Sequence, residues 1–208
     1  MGKVYSDIAV SADGFAAGRN QREEAPLGDI HENWLHAWMF DAYEENRAEV
    51  DAIVDSGATI MGRNMFGPLR GDWDRDWRGW WGTEPPYHGP VFVLTHFAHD
   101  PIEMEGGTTF HFVTDGIHSA FERARETAGE RNISIAGGRL DGQPVPRRGS
   151  PRRTAPARDV VHPRCGRAGV RGRAGAGSRA RLGASNITRD AYHLPAGAGI
   201  TAKAIVMR

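Results

Sequence analysis

Short β-type segments alternate with helix-like segments over residues 1–138, and this alternation constrains the fold more than any other feature. Strands that alternate with helices imply an α/β domain with a largely parallel sheet. Two more β-type segments, 186–194 and 200–207, flank a turn at 195–199 and predict a C-terminal antiparallel hairpin. The predicted strands are 3–10, 59–61, 91–95, 108–113 and 132–136, and the predicted helices are 31–40, 43–55 and 117–128.

The length and composition fit one domain of a protein from a reducing compartment. A chain of 208 residues can bury a substantial core. It has no run of 18 apolar residues, and its first residues lack the apolar stretch of a signal peptide. Cys165 is the single cysteine, so an internal disulfide is excluded. We therefore expect a cytoplasmic protein that does not span a membrane.

Residues 139–183 depart from this pattern. They hold 12 arginines, eight glycines and five prolines, but only two acidic residues and no Phe, Trp, Tyr, Ile or Met. The remainder of the chain has 14 basic and 24 acidic residues, so the net charge of zero hides a strong asymmetry. Such a segment buries too little apolar surface to offset the entropy of ordering it, which predicts irregular structure.

Three interpretations of this segment compete: a basic arm for nucleic acid, a Gly/Arg-rich linker, or a gene read in the wrong frame. The codons allowed for residues 139–149, read one base later, can encode Gly-Ser-Thr-Val-Asn-Gln-Phe-Leu-Ala-Ala-Gly. That string has the pattern of an amphipathic helix that ends at a glycine. A pattern of this kind in the shifted frame favours the third interpretation, a gene read in the wrong frame. The coding DNA around codons 138–184 would decide between the three.

Small or polar residues follow three of the predicted strands, at Ser11-Ala12-Asp13-Gly14, Gly62-Arg63-Asn64 and Gly137-Gly138. In open α/β sheets, ligands bind beyond the carboxyl ends of the strands. The pattern alone therefore predicts that these turns converge on one binding site.

Taken in order, several motifs resemble the riboflavin-biosynthesis reductase domain, a relative of dihydrofolate reductase that is the C-terminal part of a bifunctional deaminase-reductase. The likeness is to stand-alone bacterial members and covers residues 1–138 well. It implies a dihydrofolate-reductase-like three-layer fold, NADPH as cofactor, a heterocyclic small-molecule substrate and often a homodimer. The motifs are Ser11-Ala12-Asp13-Gly14-Phe15, Ile60-Met61-Gly62-Arg63-Asn64-Met65-Phe66, Pro90-Val91-Phe92-Val93-Leu94-Thr95-His96, Gly106-Gly107-Thr108 through Thr114-Asp115-Gly116-Ile117, and Ile135-Ala136-Gly137-Gly138.

The resemblance places the cofactor against the turns after three strands. Paired glycines let a backbone approach a pyrophosphate, and an arginine meets a phosphate with a charge-assisted fork. The alternatives are an ordinary turn, a solvated arginine and a surface histidine. The helix expected after the glycine pair would be the one lost at residue 139. The predicted cofactor-binding residues are Gly62, Arg63, Asn64, Thr95, His96, Gly137 and Gly138.

Asp13 is the candidate catalytic residue, because hydride transfer to a C=N or C=O group also requires a proton. The alternative is an Asp-Gly turn formed for local reasons. Ser11 and Gly14 are candidate substrate contacts. Trp81, one of four tryptophans in the loop 67–90, would contribute to an aromatic lid, unless these rings only pack the loop or a dimer contact.

The first functional hypothesis is an NADPH-dependent reductase acting on a pyrimidine-, pterin- or flavin-like ring. The alternatives are a nucleic-acid-binding protein that uses residues 139–183 and an inactive remnant of the reductase fold. The acidic remainder of the chain and the lack of aromatic residues in that segment argue against nucleic acid. No histidine pair has the spacing of a metal site, so we expect no metal.

Overall fold

The computed structural model describes residues 2–11, 16–30, 35–68 and 71–137, together with the backbone of strands at 181–183 and 200–207. The strands are β1 (Val4–Ser11), β2 (Ala58–Gly62), β3 (Pro90–Leu94), β4 (Ile102–Glu103), β5 (Thr109–Val113), β6 (Ile133–Ala136), β7 (Arg181–Gly183) and β8 (Ile200–Met207). The helices are α1 (Ala37–Phe40), α2 (Tyr43–Val54), α3 (Arg63–Phe66) and α4 (Gly116–Ala128), with a 3-10 turn at Glu105–Gly107.

The described strands form one sheet in the order β4-β5-β3-β2-β6-β1-β8-β7. The five inner pairings are parallel, and only the edge strands β4 and β7 pair antiparallel with their neighbours. The predicted α/β class with a mostly parallel sheet is therefore confirmed. Because β5, β3, β2, β6 and β1 are consecutive and parallel, their carboxyl ends meet at one edge of the sheet.

The C-terminal pairing differs from the predicted one. β8 lies parallel to β1 over its whole length, from Val4 opposite Ile200 to Ser11 opposite Met207. Its antiparallel neighbour is β7, at the end of the Arg/Gly/Pro-rich segment, where the composition predicts irregular structure. β7 pairs with the edge of β8 through backbone N–H and C=O groups. The amino-acid composition of the segment gives no information about such backbone pairing. The predicted strand 186–194 lies outside the described residues.

Helix α4 covers one face of the sheet. Its buried residues Ala120, Phe121, Ala124 and Ala128 recur at helical spacing. They pack against apolar residues of several strands, among them Val4, Ile60, Phe92, Val113, Ile133 and Ile135. The small alanines bring the helix close to the sheet, so this face is a regular helix-on-sheet layer.

The other face is covered by α3 and the loop between α3 and β3. Phe66 of α3 and Phe110 of β5 are completely buried and pack edge to face with ring centroids 5.0 Å apart. Loop residues Trp73, Trp77, Trp81 and Tyr87 pack on the same cluster, together with Met61, Val91, Val93 and Phe112 from the strands. The described part of this loop, residues 67–68 and 71–89, therefore forms a core layer of aromatic rings without helix or strand.

Most predicted elements occur within one or two residues of their expected bounds. The first helix is shorter than predicted, because only Ala37–Phe40 is helical and residues 31–34 lie outside the described part. Strand β4 was not predicted, since two residues are too few to show an alternation. None of the described helices combines the length and apolar character needed to cross a bilayer.

Candidate functional site

A cavity of about 370 Å³ lies beyond the carboxyl ends of β2, β3 and β5. This volume lies within the range of small-molecule sites, and the position is the one that open α/β sheets use for ligands. Each of the three strands contributes the turn that follows it. The lining residues are Gly62, Arg63 and Asn64 after β2, Leu94, Thr95, His96 and Phe97 after β3, and Val113, Thr114 and Gly116 after β5.

Five of the seven predicted cofactor-binding residues line this cavity together: Gly62, Arg63, Asn64, Thr95 and His96. Gly137 does not line the cavity but lies against Met65 of α3. A Cβ atom built on Gly137 would stand 3.5 Å from Cβ of Met65. Its φ of +111° also lies in a region that L side chains rarely adopt. The turn after β6 therefore requires glycine at this position.

The remaining predicted residues lie elsewhere or outside the described part of the chain. Asp13, Gly14 and Gly138 belong to the residues that the structure does not describe. Ser11 is the last residue of β1, which is separated from β2 by β6. The structure does not bring Trp81 to the cavity, because its ring stacks on Phe110 with centroids 5.9 Å apart and meets Tyr87 edge to face. Trp81 is a packing residue of the aromatic face.

Arg63 is held in the cavity wall by contacts with three other residues. One guanidinium nitrogen, Nη1, donates to Oγ1 of Thr95 at 2.9 Å, and Nη2 donates to the carbonyl oxygen of Gly71 at 2.9 Å. The guanidinium carbon also lies 3.5 Å from the centroid of the Trp73 ring. These contacts fix the charged group in one plane.

Thr95 organises the turn after β3. Its backbone N–H donates to the carbonyl oxygen of Val113, which continues the pairing of β3 with β5 by one residue. Its Oγ1 accepts from the backbone N–H of Phe97 at 3.1 Å as well as from Arg63. Because Thr95 is buried, these hydrogen bonds are shielded from competing water. The turn therefore holds His96 at the cavity rim, where its side chain is exposed.

The cavity favours an anion. Its lining residues include the arginine and the histidine just described but no acidic residue. The carboxylate nearest in sequence, Asp115, is paired with Arg123 at 2.9 Å and accepts a hydrogen bond from Ser119 at 2.8 Å. The hydroxyl of Ser119 and the local backbone, helped by Arg123, hold the pKa of Asp115 below its usual range. Its negative charge is thus compensated within α4.

The backbone leaves room for a ligand. A Cβ atom built on Gly62 or on Gly116 would meet no atom within 4 Å, so both glycines border open space in the cavity wall. A phosphate-bearing group suits a site that has exposed glycine backbone, an arginine guanidinium and no acidic residue in its lining. The residues present therefore fit one end of a dinucleotide. Among the described residues, no cluster of His, Cys, Asp or Glu is large enough to hold a metal ion.

Sequence reasoning did not place the turn after β5 in the site, nor Trp73 behind Arg63. Thr114 and Gly116 could have been found from strand order, because β5 lies directly beside β3 and its carboxyl end must reach the same edge. Trp73 lies ten positions after Arg63, beyond the end of α3, in a loop for which sequence periodicity gives no signal.

A protein family and a solved structure are similar to this chain. The chain matches the RibD C-terminal domain family over residues 2–141, and the match ends close to the start of the Arg/Gly/Pro-rich segment. A crystal structure of a protein from Shewanella sp. PV-4, provisionally assigned to riboflavin biosynthesis, shares 22% identity at a TM-score of 0.32 and 65% coverage of either chain. The comparison with curated proteins gives no match.

The family match covers well over half of the chain, and the mostly parallel sheet agrees with the predicted dihydrofolate-reductase-like fold. The chain therefore belongs to the RibD C-terminal domain family and is a riboflavin-biosynthesis reductase-like domain.

Proposed function

We propose that this protein is an NADPH-dependent reductase that transfers hydride to a pyrimidine-, pterin- or flavin-like heterocycle. The observation that carries the proposal is the cavity at the ends of β2, β3 and β5, where an arginine fixed by its neighbours faces open backbone. The family match supports the reductase class.

In this proposal the cavity binds the adenosine-phosphate end of the cofactor. Arg63 offers a planar set of donors that matches a phosphate, and His96 adds a second polar group at the rim. The open space at Gly62 and Gly116 lets the ligand approach the backbone closely.

The nicotinamide end would lie toward β1. From β2 the edge of the sheet continues over β6, which ends at Gly137, to β1, which ends at Ser11. Two strand spacings amount to roughly 10 Å, a span that a dinucleotide can bridge. This path leads to the turn that carries Asp13 and Gly14, our candidates for proton supply and substrate contact.

When bound, NADPH would supply the hydride. The protein would position the cofactor and the substrate and would supply the proton. We expect Asp13→Asn to lower kcat strongly while the affinity for NADPH stays within about twofold, because removal of a general acid commonly costs roughly 100-fold or more. Substrate-dependent loss of NADPH absorbance measures kcat, and a titration measures affinity. Equal kcat in the variant and the wild type would remove Asp13 from the mechanism.

Cofactor binding is tested by titrating the protein with NADPH and following its fluorescence. We expect Arg63→Ala to weaken binding by about 10- to 100-fold, since a hydrogen bond to a charged group contributes roughly 1.5–3 kcal/mol. Arg47→Ala is the matched control, because Arg47 lies on α2, pairs with Glu44 at 2.7 Å and is more than half exposed. Wild-type protein that does not bind NADPH at millimolar concentration would contradict the proposal.

A further inference from the structure

The contacts around Arg63 form a closed circuit with an aromatic residue of the loop between α3 and β3. Arg63 donates to Thr95 Oγ1, and Thr95 Oγ1 accepts from the backbone N–H of Phe97. Trp73 then donates its indole N–H to the carbonyl oxygen of Phe97 at 3.2 Å. The circuit closes where the Trp73 ring lies against the guanidinium of Arg63.

From this circuit we infer that Trp73 is a positioning residue, which holds Arg63 in the orientation that recognises a phosphate group of the bound dinucleotide. The inference rests on the proposed function. It adds a residue that does not line the cavity itself.

The stacking geometry explains how the ring can fix the arginine without occupying its hydrogen bonds. The five N–H donors of a guanidinium lie in its plane, whereas an aromatic ring contacts its face. The Trp73 centroid is 3.5 Å from the guanidinium carbon, and the Phe97 centroid is 5.6 Å away. Contact with these rings removes water from the guanidinium and limits its rotation. The N–H groups at the edge of the guanidinium remain oriented by their hydrogen bonds.

Trp73 is itself held by the aromatic core. Its ring packs edge to face with Phe66, Phe112 and His99, at centroid distances of 6.1, 4.9 and 4.7 Å. The indole N–H is fixed at the same time by Phe97. The ring therefore has one orientation, which it transmits to Arg63. A site residue held in this way loses less conformational entropy when it binds its ligand.

Two substitutions separate the ring from its hydrogen bond. Trp73→Leu removes the aromatic face, whereas Trp73→Phe keeps a ring without the N–H donor. We expect Trp73→Leu to weaken NADPH binding by roughly 5- to 30-fold, the range that corresponds to a partly desolvated cation–π contact. Trp73→Phe should retain most of the affinity. Thermal unfolding of both variants establishes that they are folded at the temperature of the titration.

A double-mutant cycle distinguishes positioning from general support of the fold. If Trp73 acts through Arg63, then Trp73→Leu should change NADPH affinity by less than about twofold in an Arg63→Ala background. An equal loss in both backgrounds would overturn the inference, because the tryptophan would then act independently of the arginine.

A second measurement needs no cofactor. Phenylglyoxal modifies accessible arginines, and peptide mass mapping gives the rate at each position. We expect Arg63 to react more slowly than the exposed Arg47 in the wild type, and several times faster after Trp73→Leu, with Arg47 unchanged. An unchanged rate at Arg63 would refute the positioning role. If this result is positive but NADPH does not bind, the proposed function fails while the contact between Trp73 and Arg63 stands.

Discussion

The two faces of the sheet are covered in different ways. Helix α4 covers one face with buried alanines and a phenylalanine at regular spacing. The aromatic loop and α3 cover the other face, with aromatic rings that pack around Phe66 and Phe110. The regular face is a conventional helix layer, whereas the irregular face also holds the arginine of the candidate site through Trp73. The irregular face thus supports the arginine of the candidate site in addition to packing against the strands.

The difference shows that a loop can be as much a part of the core as a helix. Trp77 illustrates this, since its indole N–H donates to the carbonyl oxygen of Phe66 at 3.0 Å and its ring packs on Trp80. An aromatic ring buries a large apolar area and can satisfy a backbone carbonyl at the same time. We therefore expect changes in the irregular face to affect stability and the site together. Changes in the middle of α4, away from the cavity residues at 113–116, should affect stability alone.

The largest effect should come from Phe66→Ala. Phe66 is fully buried against Phe110, Phe112 and Trp73, so its truncation should cost about 3–5 kcal/mol of unfolding free energy. Urea denaturation measures this cost. Phe40→Ala is the control, because Phe40 is 64% exposed and its truncation should change stability little. Similar losses in the two variants would mean that the aromatic loop is not a core layer.

A smaller loss is expected from Ala124→Leu on the helix face. Ala124 is completely buried between α4 and the sheet, so three added carbon atoms should overpack the interface and cost about 1–3 kcal/mol. Glu122→Leu places the same side chain on an exposed position of the same helix and should have little effect. Denaturation of both variants gives the comparison. If Ala124→Leu stabilises the protein, α4 does not lie as close to the sheet as described.

The smallest effect should come from Asp115→Asn at the start of α4. Because the folded pKa of Asp115 is lowered, its stabilising contribution is fully present above the unfolded value of about 3.9 and disappears as pH falls through the lower folded pKa. The variant should therefore melt below the wild type at pH 7, and the difference should shrink at pH 3 and below. Paired melting curves at both pH values measure it.

Glu122→Gln is the charge control for this pair, because Glu122 is exposed on the same helix and forms no ion pair among the described residues. A difference between wild type and Asp115→Asn that is the same at every pH would contradict the assigned role of the carboxylate.

The sequence predicts the helix face better than the aromatic face, because only regular elements give a periodic pattern. Residues Ala120, Phe121, Ala124 and Ala128 repeat with the period of a helix, so α4 and its buried side could be predicted. The turns at Gly62-Arg63-Asn64 and Thr95-His96 follow apolar strands, and parallel strands bring such turns to one edge. The pattern predicted that the turns at 11–14, 62–64 and 137–138 converge, and among their described residues Gly62, Arg63 and Asn64 line the cavity. Thr95 and His96 were assigned to the site by the family resemblance, and they line it as well.

The aromatic face could not be predicted in the same way, because contacts within an irregular loop have no period. Trp81 was assigned to an aromatic lid, with packing of the loop as the alternative, and its ring packs on Phe110. Trp73 was grouped with the other loop tryptophans as a lid or packing residue, without a link to Arg63, yet its ring lies against the guanidinium. Composition alone identified this loop as unusual, and the position of each ring is set by the three-dimensional packing of its neighbours.

The central claim is that the turns after β2, β3 and β5 jointly bind the phosphate-bearing end of NADPH. Hydrogen exchange of the wild-type protein, measured by mass spectrometry with and without NADPH, tests it most directly. We expect slower exchange in peptides that cover residues 62–64, 94–97 and 113–116, with no change over residues 43–54 of α2. Protection confined to other parts of the chain, or no protection at saturating cofactor, would contradict it.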